Sequence, residues 1–220
     1  MPDVSVVLPT RNEVQAIGKL IDEILALPYD KEVIVIDYKS TDGTREVVLS
    51  KGVTLIDEEI PGKGAALVRG FKEATGKYIV TLDADGTYLV EDVVRIVTAL
   101  KLGYCAVLGW RRDKAKGAMF WVHRLGNYLL SLLASILYLY WVRDINTGMK
   151  GFRRLTLSQL NLTSKDFTIE ADIFISLVKA DYLPIERPIS YEPRASGSFP
   201  KLSIWDGFKI GWFLIRRRFK

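Results

Sequence analysis

Glu32-Val33-Ile34-Val35-Ile36-Asp37-Tyr38-Lys39-Ser40 is an apolar run closed by an acid. Its centre shows no apolar/polar alternation, the mark of a strand covered on both faces. Runs of the same kind occur at Val4 to Leu8, Val53 to Asp57, Tyr78 to Asp83 and Tyr104 to Gly109. Amphipathic stretches of helical period lie between them, at Val14 to Leu27, Thr41 to Ser50, Ala65 to Ala74 and Val90 to Leu102. This βαβα order predicts an α/β fold: a mostly parallel, Rossmann-like sheet flanked by helices. Such sheets bind ligands at the carboxyl ends of their strands. Those ends carry Pro9-Thr10-Arg11-Asn12-Glu13, Asp37-Tyr38-Lys39-Ser40, Asp83-Ala84-Asp85 and Gly109-Trp110-Arg111.

Beyond about residue 110 the pattern changes to basic clusters and long apolar helices, with no repeat and no linker, so residues 1–220 read as a single domain. The net charge of +5 calls for anionic partners. A lone Cys105 makes no internal disulfide, and no basic leader precedes the first strand, which together predict the reducing cell interior. Leu125 to Val142 is 18 residues without a charge, at the lower edge of the about 20 that span a bilayer. His123, Asn127, Ser131 and Ser135 recur at intervals of four, so a helix here carries a polar stripe and lies on a membrane or against the protein. Arg111 to Arg124 reads as a cationic loop before it. A helix from Ser203 onward puts Ile204, Trp205, Phe208, Trp212, Ile215 and Phe219 on one face, flanked by Lys209, Arg216 and Lys220, the composition of an interfacial helix.

Asp83 and Asp85 are the sharpest local signal. Residues two apart on a strand share a side, so both carboxylates can enter one site. Close carboxylates repel unless a cation intervenes, and Mg²⁺ prefers one or two carboxylates with phosphate oxygens. Two solvated acids in a turn are the simpler alternative. Asp37 is placed to accept a hydrogen bond from a base or ribose, while Ser40 or Thr41 suits a helix cap. Lys63, within Gly62-Lys63-Gly64, suits phosphate contact or a plain turn.

Taken in order, Val6 to Glu13, Asp37 to Thr44, Gly62 to Leu67 and Asp83-Ala84-Asp85 resemble the successive motifs of inverting family-two glycosyltransferases with the GT-A fold. Gly109-Trp110-Arg111, Arg124 with Asn127, Asp144 to Gly148, Phe152-Arg153-Arg154, Ile169 to Asp172 and Pro188 to Arg194 resemble the dolichyl-phosphate mannose and glucose synthase branch. The resemblance implies a nucleotide-sugar-binding half at 1–110 and an acceptor-binding, membrane-interface half at 111–220. It implies that Pro9, Thr10, Glu13, Asp37, Lys63 and Asp83 hold the donor nucleotide. Asp83 and Asp85 would bind Mg²⁺ or Mn²⁺. Arg111, Arg124, Asn127, Ser131, Arg194 and Lys201 would meet the acceptor phosphate. The family's usual Asp-Asp-Gly-Ser is here Asp37-Tyr38-Lys39-Ser40, and Thr87 stands where a glutamine is usual.

The expected reaction is sugar transfer from a UDP- or GDP-linked donor to a polyprenyl phosphate at the cytoplasmic membrane face, by a peripheral or monotopic enzyme. Asp85 and Arg111 are its expected catalytic groups, with Asp172 as a possible base and Glu170 as an orienting group. The simpler reading makes Glu170 and Asp172 surface acids, and Asp144 a structural partner of Arg143, Arg153 or Arg154. Two rivals stand beside this: transfer to a sugar hydroxyl, and a non-catalytic basic membrane-surface module. Nucleic acid is not an expected partner, because strand-end acids would repel its phosphates.

Overall fold

The computed structural model describes residues 1–194 and 203–219. In chain order the elements are β1 (Val4–Thr10), α1 (Val14–Leu25), β2 (Lys31–Asp37), α2 (Thr44–Ser50), β3 (Thr54–Asp57), α3 (Lys63–Glu73), β4 (Tyr78–Thr81) and α4 (Glu91–Lys101). They continue as β5 (Ala106–Lys114), α5 (Trp121–Tyr138), β6 (Lys150–Arg153), α6 (Arg154–Ser158), α7 (Ile169–Lys179), β7 (Ile185–Tyr191) and α8 (Ile204–Arg218).

The strands form one sheet in the order β3-β2-β1-β4-β6-β5-β7. β1 pairs in parallel with β2 and β4, β2 with β3, and β5 with β7. Only β6 runs antiparallel, hydrogen-bonded to β4 on one side and β5 on the other. Gly151 permits this insertion, because a Cβ there would lie 2.2 Å from Ile96 Cγ2 on α4.

One face of the sheet is covered by α1 and α4. Ile17, Leu20, Ile21 and Ile24 of α1 recur at helical spacing and bury against Val6, Leu8 and Val80. The other face is covered by α3 and α7, with Leu67, Ile173 and Leu177 packed on Val7, Ile36 and Phe152. Each such side chain contributes about 1.5–3 kcal/mol of burial. A third cluster, including Ala134, Tyr138, Phe174, Ile210 and Leu214, welds α5 and α8 to α7.

Several expectations change in detail. The segment from Arg111 is not all loop: β5 runs to Lys114, because β7 pairs along it through a bulge between Arg111 and Asp113. Neither Ser40 nor Thr41 caps α2, which starts at Thr44 after Gly43 (φ +97°). Asp42 instead accepts from the backbone N–H groups of Thr44 and Val14. The polar stripe of α5 faces the protein: Ser131 Oγ accepts from Ile145 N (3.1 Å), and Ser135 Oγ accepts from Val142 N (3.0 Å). What α5 exposes is mostly apolar, including Trp121, Leu125, Tyr128 and Leu129, with Arg124 as a charged exception. On α8, Ile204, Trp205, Phe208 and Trp212 are likewise exposed, as is Phe219 just past its end. Among the described residues no helix is long and apolar enough to cross a membrane.

Candidate active site

A cavity of about 800 Å³ opens at the carboxyl ends of β1, β2 and β4. Pro9, Thr10 and Glu13 line it after β1, Tyr38 after β2, and Asp83 and Asp85 after β4. Lys63 enters from the first turn of α3, Glu170 from α7, Arg111 from β5 and Arg194 from beyond β7. Its far wall is built by Phe120, Val122, His123, Asn127 and Leu130 around α5, and by Ile204 and Gly207 of α8.

At the end of β4 each acid already holds a cation. Asp83 pairs with Lys63 Nζ at 2.5 Å, and the same ammonium lies 2.6 Å from Glu170. Glu170 in turn meets Lys150, whose side chain is fully buried. Asp85 accepts from Thr87 N (3.2 Å) and Oγ1 (2.6 Å), and from Arg194 Nε at 2.8 Å. Burial, the largest single influence, pushes Asp83 up, but Lys63 with Lys150 and Arg111 together hold the carboxyl below its ordinary range. Burial likewise works against the Lys63 ammonium, and Asp83 with Glu170 reverses that, keeping it firmly protonated. For Lys150 burial wins over Glu170, and its pKa falls.

Arg111 is set rigidly in the wall. Its Nε and Nη2 donate to the two oxygens of Asp144, each at 2.7 Å, and its backbone N–H donates to Asp144 Oδ2 at 3.1 Å. Asn127 Nδ2 donates to Asp144 as well, at 3.0 Å. Such a fork is a strong, oriented pair. Asp144 is therefore structural, as expected, but its partner is Arg111, while Arg143 pairs with Glu186 and Arg153 donates to the Leu100 carbonyl.

The cavity does not gather every expected residue. Asp37 is fully buried and does not line it: its carboxylate accepts from Ser40 and from Arg45 Nη1 (3.0 Å), and Tyr38 takes the wall position. Ser131 is also corrected, since its hydroxyl is buried and holds the Ile145 backbone. Arg124 is exposed on α5, outside the lining. Lys201 lies outside the described residues. Neither Glu170 nor Asp172 is a surface acid, for both are buried. Residues two apart on a helix point about 200° apart, so only Glu170 reaches the cavity. Asp172 faces away and accepts from Thr163 N, Ser164 N and Arg217 Nη2, at 2.9, 3.0 and 2.9 Å. That geometry leaves it no role as a base in the cavity.

Lys150, Gly148 and Tyr88 were missed as individual residues. Gly148 N–H donates to the Tyr88 hydroxyl at 2.7 Å, and a Cβ at Gly148 would lie 2.3 Å from Asp83 Oδ2. The one available signal was the Asp144 to Gly148 motif, whose two ends prove to hold Arg111 and to make room for Asp83.

Asp83 and Asp85 fit a divalent ion as a two-carboxylate donor set. Both line the same cavity and both stand against cations, and hard oxygen pairs of this kind suit Mg²⁺ or Mn²⁺ when phosphate and water complete the shell. Among the described residues no group of three or more His, Cys, Asp or Glu forms a further metal cage.

The model of a family described as Glycosyl transferase family 2 matches residues 5–160. This chain belongs to that family. It is therefore a glycosyltransferase, and the reading as a non-catalytic module is set aside. Glycosyltransferase AglJ of Haloferax volcanii is 33% identical over 220 residues, covering 98% of this chain and 72% of that protein. The dolichyl-phosphate hexose transferase of the same organism is 32% identical over 193 residues, covering 88% and 84%. Among solved structures, glucosyl-3-phosphoglycerate synthase from Mycobacterium tuberculosis with phosphoglyceric acid aligns at a TM-score of 0.78 and 22% identity, covering 98% of this chain and 80% of that one. The same synthase in complex with Mg²⁺ and UDP aligns at 0.76 and 22%, covering 98% and 78%. At that identity the likeness speaks for the fold alone, and it bears out the mostly parallel GT-A sheet expected from the sequence.

Proposed function

We propose that this family-two glycosyltransferase carries a sugar from a UDP- or GDP-linked donor to a polyprenyl phosphate, with inversion, at the cytoplasmic face of a membrane. The observation that carries the reading is the composition of the cavity described above. One wall holds the strand-end acids Asp83 and Asp85; the other is mostly apolar, with His123 and Asn127 as its polar members, and belongs to α5 and α8, whose outer surfaces expose Trp121, Leu125, Trp205 and Phe208. A polar donor and a lipid-linked acceptor need such opposed walls. The likeness to a dolichyl-phosphate hexose transferase supports the same acceptor class.

In this reading Pro9, Thr10, Glu13 and Tyr38 wall the nucleoside, and Lys63 faces the diphosphate. Asp83 and Asp85 would hold Mg²⁺ or Mn²⁺, which when bound supplies Lewis-acid stabilisation of the leaving nucleoside diphosphate. Arg111, fixed by Asp144, and Arg194 position the acceptor phosphate and balance its charge. A phosphate is already anionic at neutral pH, so attack needs alignment and no proton removal. The absence of Asp172 from the cavity fits that requirement. Glu170, pinned between Lys63 and Lys150, orients Lys63.

The test is a panel of labelled UDP and GDP sugars with polyprenyl phosphate, with and without a chelator. Chelator-sensitive label in the organic phase is the expected result. Label appearing only on glycan hydroxyls would transfer the assignment to the rival acceptor class.

A further inference from the structure

The acids and lysines behind the cavity form one line: Asp83, Lys63, Glu170, Lys150. Lys63 is the member in contact with both cavity acids, at 2.5 Å from Asp83 and 2.6 Å from Glu170, and its side chain is only 13% exposed. If Asp83 is taken from it, this largely buried ammonium keeps only Glu170, a carboxylate it already shares with Lys150, so two buried cations are left on one anion, and under-compensated buried charge is destabilising.

We propose that Lys63 is a resident counter-cation that occupies Asp83 in the empty enzyme and moves to the donor's diphosphate when a divalent ion takes Asp83. The exchange ties the two ligands together. Metal arriving alone would leave Lys63 facing a dication with one anion fewer, whereas metal arriving with a diphosphate restores its partner. Glu170, anchored by the fully buried Lys150, keeps the ammonium within reach of both positions. This rests on the reading of Asp83 and Asp85 as the metal-holding pair and goes beyond it: the lysine, and not the acids alone, sets how weakly free metal binds. Linkage then requires that UDP tighten metal binding by the factor by which metal tightens UDP.

The measurement is Mn²⁺ binding by electron paramagnetic resonance, with and without UDP, on the intact 220-residue chain. An opposite charge at this range favours an ionised carboxylate by roughly one to three powers of ten. Lys63→Met is therefore expected to bind Mn²⁺ alone at least about tenfold more tightly than wild type, and to show a correspondingly smaller enhancement by UDP. Lys63→Arg, which keeps the charge, should behave as wild type towards metal alone. Circular dichroism melts establish that each variant is folded. Wild-type measurements give a check that needs no variant: Mn²⁺ affinity unchanged by UDP would overturn the exchange. So would folded Lys63→Met with wild-type affinity for Mn²⁺ alone, or Lys63→Met and Lys63→Arg behaving alike. If wild type takes up neither Mn²⁺ nor UDP under any condition, the donor reading itself fails, which is a separate result.

Discussion

Replacing Gly148 by alanine tests whether the position of Asp83 matters to transfer. The new Cβ would sit 2.3 Å from Oδ2, 2.6 Å from Cγ and 2.8 Å from Oδ1 of Asp83. Ordinary contact starts near 3.4 Å, so the carboxylate must retreat by about 1 Å, and a misplacement of about 1 Å can lower a rate on the order of 100-fold. Strain of this kind costs about 1–3 kcal/mol, and a chain of this length loses about 2–4 °C of Tm per kcal/mol. Gly151→Ala supplies the matched control. Its Cβ would meet Ile96 Cγ2 of α4 at 2.2 Å, with no acid among its nearest neighbours. Single-turnover transfer of labelled sugar to polyprenyl phosphate, run beside thermal melts, should show both variants folded but less stable. Transfer should fall about 100-fold in Gly148→Ala and stay within about threefold of wild type in Gly151→Ala. Equal losses in the two variants, or full activity in Gly148→Ala, would refute the reasoning.

Asp144→Ala strands the buried Arg111 guanidinium; a loss of about 3–5 kcal/mol is expected, seen as a lower urea midpoint. In acid, the sign follows from Asp144 itself. Burial raises its carboxyl, but Arg111 outweighs burial and holds it below the ordinary 3.8. The unfolded chain therefore binds the proton first. The stabilisation is complete above the ordinary carboxylate value and drains away as pH falls from there through the lowered one. Urea midpoints should start to drop as pH falls to the ordinary carboxylate value and go on dropping below it, with a shallower slope in Asp144→Asn. Changing exposed Trp205 and Trp212 together to serine should leave stability within about 0.5 kcal/mol per site while sharply reducing sedimentation with anionic vesicles; undiminished sedimentation would count against the proposal that α8 meets a membrane.

The first half of the sheet was legible because a strand buried on both faces cannot hide its composition: Val33 to Ile36 has no other reading. Helix α1 was equally plain, since Ile17, Leu20, Ile21 and Ile24 mark its period. Strands β6 and β7 were not read as strands. Lys150-Gly151-Phe152-Arg153 begins and ends with charges, and Lys150 enters the interior only because Glu170, 20 residues away, is waiting for it. Nothing local announces such a pair. Within the site, Asp83 and Asp85 were readable from the two-residue repeat of a strand. Asp37 misled because its answering cation, Arg45, sits on the next helix, in a stretch that reads as ordinary amphipathic surface. Asp172 misled because spacing along a strand and around a helix carry opposite meanings: the interval that unites Asp83 with Asp85 separates Glu170 from Asp172.

Strand β6 has a consequence for how such a molecule can be taken apart. It comes from the second half of the chain yet lies between β4 and β5, so the seam between the two halves of the chain is closed by main-chain hydrogen bonds rather than by a hinge or a tether. Severing the polypeptide near residue 110 would cut through β5 and leave β4 with a raw edge. Grafting a new second half from a relative must therefore transplant a strand into the middle of the recipient's sheet, and only relatives whose β6 matches that slot in length and register will yield a working hybrid.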